Sequence, residues 1–313
     1  MRRMDPVRLR PGLERLAQGV RDHAEWQEAV LRKVVSGAPL HPSDLSEASH
    51  LQCPFHRWYF DRSSVVLWGY PAFAALGVEH WRQHQFADEL LRKLASDASV
   101  FVEDFDELMT GGERLSRTLD ALRHGIEGAW RDRDALTDAC GRETMLSELR
   151  DWRELALQSV QKCCVARMEV DGMQEIRDAH GPVPADEALA AAARYVGRRL
   201  RPWDKVSRLG GDEFLLSLPG ANLSVGQSVI RRVREGLAAR SLVAAPGGEA
   251  LKLTASFGLA LLDPEVSVED AVERADQALL LAKTAGRNRA INWDPSVTTG
   301  ARLPRLRLED VKQ

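Results

Sequence analysis

Two adjacent glycines, Gly210 and Gly211, stand between short apolar runs at 205–209 and 214–218, and this feature constrains the fold more than any other. Apolar runs joined by so tight a Gly-Gly turn read as a β-hairpin, so the second half of the chain is committed to a sheet. Further strands are predicted at 163–170, 252–261 and 289–292. Helical periodicity at 186–200, 224–239 and 268–284 separates most of them. Helices alternating with strands, plus one hairpin, predict an α/β sheet covered by helices. Beyond Pro295 the pattern is lost, and an irregular tail is expected.

The first half has a different texture. Leu13, Leu16, Val20, His23, Val30 and Val34 form one apolar stripe at helical spacing. Phe73, Leu76, His80, His84, Ala87, Leu91 and Leu94 form a second, and Leu115, Leu119, Leu122, Ile126 and Trp130 a third. With a helical stretch around 45–59, four helices with short connections predict an antiparallel bundle. A chain of 313 residues has room for two domains at about 150 residues each. The change in texture predicts a helical domain over 1–130, an α/β domain over 131–295 and the tail over 296–313.

Composition excludes several classes. The 43 basic and 46 acidic residues leave a net charge of −3, which gives no electrostatic footprint for duplex nucleic acid or an anionic membrane. The uncharged stretch 63–78 is too short to span a bilayer and is interrupted by Gly69 and Pro71. The N-terminus lacks an apolar signal-peptide core, and four cysteines are too few for a disulfide framework. These features predict a soluble, reduced, cytoplasmic protein.

Seven of the eight histidines precede residue 125. Imidazole chemistry therefore belongs to the first half, whereas the second half must rely on carboxylates, basic groups or a bound metal. His80 and His84, four residues apart on a core-facing stripe, present both rings on one side of a helix. His23 lies on the core-facing stripe of another helix. Cys53 precedes Pro54, which favours the first position of a helix, so its thiol is expected at a helix N-terminus, where the dipole favours thiolate. Three imidazoles and a thiolate suit zinc. From the residues alone, histidines on an apolar face are equally readable as satisfied core residues. His56 is a rival ligand, and His41 and His50 read as solvated loop residues.

In the second half, Arg208-Leu-Gly210-Gly211-Asp212-Glu213-Phe214 joins a turn that lets backbone approach a ligand to two carboxylates able to hold divalent cations. The same four residues also make a good turn with no further role. A second acidic pair, Glu169 and Asp171, closes the strand predicted at 163–170. Carboxylates on neighbouring strands facing one cleft suit two-metal phosphoryl chemistry.

The order His23, Cys53-Pro-Phe55-His-Arg-Trp58-Tyr59, His80-Trp-Arg-Gln-His84 resembles the chemoreceptor zinc-binding (CZB) family over roughly residues 10–130. That resemblance implies a four-helix bundle with zinc held by His23, Cys53, His80 and His84. The turn motif resembles the GGDEF diguanylate cyclase family. So do Asp134-Ala-Leu136-Thr137-Asp-Ala-Cys-Gly141-Arg142, Thr254-Ala-Ser256-Phe-Gly258 and the closing run from Ala275-Asp276 to Ala282-Lys283-Thr-Ala-Gly286-Arg287-Asn288-Arg289. This second resemblance covers about 131–293 and implies a nucleotidyl-cyclase-like domain with a mainly antiparallel central sheet. It further implies a homodimer in which two GTP condense to cyclic di-GMP and two pyrophosphates.

The implied roles follow residue by residue. Gly210 and Gly211 approach the GTP phosphates, Glu169 and Glu213 hold Mg²⁺ or Mn²⁺, and Asp212 assists with metal or proton transfer. Lys283 and Arg287 neutralise phosphate, and Asp186 accepts from guanine. Arg201-Pro-Trp-Asp204 matches the family's inhibitory RxxD site for the product. Departures are Glu169 where the family has Asp, Arg177 where it has a guanine-contacting Asn, Gln174 for a common Lys and Leu280 for a common Tyr. Together the two resemblances imply a zinc-sensing cyclase. The departures leave two rivals: a silent GGDEF domain that serves as a cyclic di-GMP (or GTP) receptor under zinc control, and a cyclase with altered base choice.

Overall fold

The computed structural model describes residues 6–45, 49–96, 98–244, 248 and 250–298. A helical region comes first: α1 (Pro6–Ser36), α2 (Ser49–Gln52), α3 (Pro54–Tyr59), α4 (Pro71–Ala95) and α5 (Val102–Arg131), with 3₁₀ turns at Pro42–Leu45 and Arg62–Leu67. Three long helices therefore carry the bundle, and the stretch expected to form a fourth is broken into short pieces. The cause is Pro54. It holds Cys53 in extended backbone (φ −60°, ψ 131°) and starts a new helix at its first position.

The stripes read from the sequence face inward. Leu16, Phe73, Leu76, Leu115, Leu119, Leu122 and Ile126 are buried together with Phe55, Trp58 and Tyr70. A second cluster joins Val30 to Ala87, Leu91 and Leu108. The side chains of Leu13 and Trp130 lie outside the described residues.

The α/β part follows as α6 (Arg142–Leu157), β1 (Cys163–Asp171), α7 (Met173–His180), α8 (Pro182–Arg199), β2 (Lys205–Gly210), β3 (Glu213–Pro219), α9 (Leu223–Ala238), β4 (Ser241–Ala244), β5 (Ala250–Lys252), β6 (Thr254–Leu261), α10 (Val268–Thr284), β7 (Ala290–Asn292) and α11 (Pro295–Thr298). The main sheet has the order β2-β3-β1-β6-β7. Three of its four pairings are antiparallel and β6–β7 is parallel, so the sheet is mixed. The parallel pair follows from α10, because parallel neighbours need a crossover connection. One face is covered by α8 and α9 over a core that includes Met168, Phe214 and Phe257. The other packs on α6 and α10 around Trp152, Leu215 and Ala275.

Three details depart from the sequence reading. The strand expected over 252–261 is interrupted at Leu253, and β5 pairs instead with β4 in a separate small hairpin. Helix α7, between β1 and α8, has no counterpart among the predicted elements. Tail residues 295–298 form the helical turn α11, and 299–313 lie outside the described residues. Among the described residues, no helix is long and apolar enough to cross a membrane.

Candidate functional site

In the helical region, His23 (α1), Cys53 (before α3), His80 and His84 (both α4) converge, each buried, with potential ligand atoms all within 4.8 Å of one another. Cys53 Sγ lies 3.6 Å from His23 Nδ1. Zinc bonds of about 2.3 Å to sulfur and about 2.0–2.1 Å to nitrogen, at the tetrahedral angle, place those atoms about 3.5 Å apart. The far nitrogen of His23, Nε2, is hydrogen-bonded to Gln83 Oε1. That bond fixes an Nε2–H tautomer and leaves Nδ1 free to ligate. His80 Nε2 and both ring nitrogens of His84 are buried without any hydrogen-bond partner. Such orphaned buried atoms are costly unless something binds them. The donor set and its geometry fit zinc.

Electrostatics keeps these imidazoles neutral, as ligands must be. Burial drives His80 down to about 2 and His84 to about 3, and neighbouring histidines push in the same direction. Burial takes His23 to about 4, against a raising contribution from Gln83. The helix N-terminus does not make the Cys53 thiol acidic: burial raises it, and the amides of His56 and Phe55 only partly oppose this. The ring of His56 lies beside His80 at 6.2 Å between centroids, outside the four-donor set. His50 is not a solvated loop residue; it is half-buried on α2, with its ring 6.4 Å from that of His84. Phe55 stacks on His80 at 4.6 Å and Trp26 on His84 at 3.9 Å, so aromatic walls close the site. The sequence reading missed Gln83 and Trp26; the clue was their place beside ligands on the same helices.

The second site lies on the α10 side of the sheet. Glu213 follows the glycine turn on β3, and Glu169 is its register partner on the neighbouring strand β1. Gly210 and Gly211 have φ of 151° and 49°, and a Cβ at either would meet nothing within 4 Å, so backbone there is open to a ligand. Lys283 Nζ donates to Glu169 Oε2 at 2.6 Å, and Arg167 Nη2 to Glu213 Oε2 at 2.9 Å. Arg167, itself buried, also pairs with Asp276 on α10. Each carboxylate keeps an oxygen for a divalent cation, and Lys283 and Arg167 balance their charge. Asp212 is half-buried at the turn.

Asp171, two residues on from Glu169 along β1, is taken up by structural hydrogen bonds. It accepts from Thr254 Oγ1, Ser256 Oγ and the Asn288 amide at 2.7, 2.8 and 3.1 Å, which ties the closing loop to β6 and explains the Thr254-Ala-Ser256 motif. Asp134 binds the Thr137 amide and hydroxyl and also Arg208, whose guanidinium holds the Gly211 carbonyl. The Asp134 motif is thus a brace for the turn. The roles of Arg167 and Asp276 were not visible in the sequence, since one arginine inside an apolar strand carries no local sign of its partners.

Asp186 on α8 meets Arg177 on α7 at 3.3 Å, with both side chains 45% exposed. Gln174 is exposed and bonds Asp178. Arg287, at φ 59°, is exposed four residues after Lys283. Arg201 and Asp204 lie away from the turn: Arg201 reaches the Pro219 carbonyl at 3.1 Å, at the opposite end of β3 from Glu213. Six residues of strand separate those ends by about 20 Å. The Asp204 carboxylate is wholly buried and takes several bonds from Arg201, the shortest 2.7 Å. Burial nevertheless raises its pKa above the ordinary carboxylate range.

A mixed sheet with an open Gly-Gly turn beside the paired carboxylates Glu169 and Glu213 is the architecture to be compared with known domains. Residues 131–289 match the family model described as "Diguanylate cyclase, GGDEF domain". That match spans just over half of the chain, which therefore belongs to this family. The chain is 36% identical to diguanylate cyclase DgcP of Pseudomonas aeruginosa over 125 residues, covering 40% of this chain and 18% of DgcP. The GGDEF domain of DgcB from Caulobacter crescentus, solved in complex with c-di-GMP, superposes with a TM-score of 0.50 at 28% identity, covering 52% of this chain and 94% of that one. Diguanylate cyclase SiaD from Pseudomonas aeruginosa, solved with its activator SiaC, gives 0.51 at 26% identity, covering 79% and 94%.

Proposed function

We propose that this chain is a zinc-sensing diguanylate cyclase: the domain over 131–295 condenses two GTP into cyclic di-GMP and two pyrophosphates, and the helical domain over 1–130 reports zinc to it. The single observation that carries the catalytic reading is the pairing of Glu169 with Glu213 across β1 and β3 at an open Gly210-Gly211 turn. When bound, Mg²⁺ or Mn²⁺ supplies charge neutralisation for the phosphates and a more acidic attacking hydroxyl. The chain's own groups do the rest. The glycine turn admits the phosphates, and Lys283 and Arg287 offset their charge. Asp212 serves as a local acceptor, and Asp186 accepts from guanine once Arg177 has turned aside. A 3′-hydroxyl from a second GTP requires a second copy of the chain, so the working form is a cytoplasmic homodimer.

Zinc sensing is supported by the four-donor set His23, Cys53, His80 and His84 and its orphaned nitrogens. The order of helical and GGDEF parts resembles the zinc-regulated diguanylate cyclase DgcZ, and zinc is expected to inhibit. Product inhibition is assigned to Arg201 and Asp204, with Arg201 as the side chain that swings to cyclic di-GMP. Titrating zinc into chelator-stripped protein tests the regulatory part: turnover is expected to fall, and His84→Ala to remove the response. Turnover indifferent to zinc would refute it.

The Arg177–Asp186 pair favours one rival. With the guanine acceptor held by a cation, the domain would serve as a receptor that binds cyclic di-GMP at Arg201 without turnover. Calorimetry then shows binding that Arg201→Ala abolishes, from protein that makes no product. Arg177 also motivates altered base choice, which competition among the four nucleoside triphosphates decides.

A further inference from the structure

A cavity of about 710 Å³ lies between α9 and the loop that leads into β7, and it borders the glycine-turn site through Arg287. Arg231 and Arg234 reach it from α9, and Arg287 and Arg289 from the loop, with Ser228 and Asn288 between them. No carboxylate lines it. Arg231, Arg287 and Arg289 are exposed, whereas Arg234 is part-buried and donates to the Asn288 carbonyl at 2.8 Å. Arg234 is also paired with Glu235 at 3.1 Å. The other three guanidiniums gather with no carboxylate among the lining residues, and an anion with several oxygens relieves their mutual repulsion. Guanidinium forks match phosphate oxygens two at a time.

The loop shows a second sign of a built feature. Arg287 and Asn288 sit in the left-handed region at φ 59° and 46°, directly after Gly286 at 113°. Non-glycine residues held there are strained and persist where the surroundings fix them. Here the fixing is two-sided. Asn288 gives its amide to Asp171 on the sheet and takes Arg234 from α9 on its carbonyl.

We propose that this cleft is a binding site for a small soluble polyphosphate, centred on Arg231 and Arg289 and sharing only Arg287 with the GTP-phosphate position at Gly210, Gly211 and Lys283. A phosphate chain, free or carried by a nucleoside, is the ligand class that guanidiniums so gathered select. Because the loop also carries Arg287, occupancy would be felt at the catalytic cleft.

The test is calorimetric titration of the full chain with inorganic tripolyphosphate, and separately with ATP, in chelator-treated buffer without divalent cations. Tighter binding of ATP assigns the nucleotide source, and equal binding the inorganic one. Arg231→Ala and Arg289→Ala are expected to weaken binding about tenfold or more each, as loss of a charge-assisted partner implies. Arg231→Lys should fall between, and Lys283→Ala should retain the Arg231-dependent binding. Both arginines are exposed, and unchanged circular dichroism confirms that the variants fold. Absence of binding by the wild type would overturn the proposal. So would loss in Lys283→Ala with Arg231→Ala unchanged, or equal loss in all variants.

Discussion

The indoles of Trp68 and Trp203 meet with ring centroids 5.2 Å apart, and this contact joins the helical region to the Arg201–Asp204 segment. Gly69 beside it sits so close that a Cβ would lie 2.6 Å from the Trp203 carbonyl oxygen. Tyr70 continues the seam, with Lys205 Nζ 3.7 Å above its ring. Helix α4, which carries His80 and His84, begins at the next residue. A shift of α4 on metal binding thus bears directly on the segment where Arg201 also lies over Trp203 at 5.4 Å.

Gly69→Ala should therefore act on coupling. A carbonyl oxygen in backbone cannot swing away as a side-chain tip can, so the two segments must part. A destabilisation of about 1–3 kcal/mol is expected, as for overpacking elsewhere, together with a blunted zinc response. Thermal melts and zinc titrations of turnover read the two effects. An undiminished zinc response would remove Trp203 from the route.

Gln83 holds His23 Nε2 and is not one of the four candidate donors. Gln83→Ala should weaken zinc affinity about 10–100-fold, the usual effect of losing a partner behind a histidine ligand. Competition against a chromogenic chelator measures this. Affinity equal to wild type would mean the His23 ring is held by packing on Trp26 alone.

Lys205 and Glu148 form a buried ion pair at 2.5 Å, both nearly inaccessible, and burial pushes the Glu148 carboxyl up while Lys205 opposes. Removing one partner strands a charge. Lys205→Met should cost about 3–5 kcal/mol, whereas Glu148→Leu with Lys205→Met should be near neutral or stabilising. Urea denaturation of the two variants separates these outcomes, and equal losses would contradict the buried-pair account.

Arg177→Asn frees Asp186 from its cation. The pair is half-exposed, so little change in stability is expected, about 0–1 kcal/mol. The KM for GTP should fall, with kcat less affected. An unchanged KM would show that Asp186 takes no part in binding guanine.

What the sequence disclosed followed from periodicity. The strand at β1, the β2–β3 hairpin and helix α10 repeat clean patterns, and the glycine turn marks its own geometry. Helix α7 escaped because only Met173 of its eight residues is buried, leaving no stripe to read. The β4–β5 hairpin is short and largely exposed, so alternation is faint there. The fourth bundle helix was misjudged because Pro54 acts on Cys53 locally, against an otherwise helical run. In the sites, the residues with ligand chemistry were legible by type and spacing. Their supports were not: Gln83 for His23, Arg167 for Glu213 and Glu148 for Lys205 lie 60, 46 and 57 positions apart, distances at which sequence carries no contact signal.

The central claim is that Glu169 and Glu213 form a working catalytic pair. The most direct test is to incubate zinc-stripped protein with GTP and Mg²⁺ and to assay cyclic di-GMP by mass spectrometry, beside Glu213→Ala. Product from the wild type and none from the variant is the expected result. No product from folded, dimeric wild type, or equal product from Glu213→Ala, would contradict it.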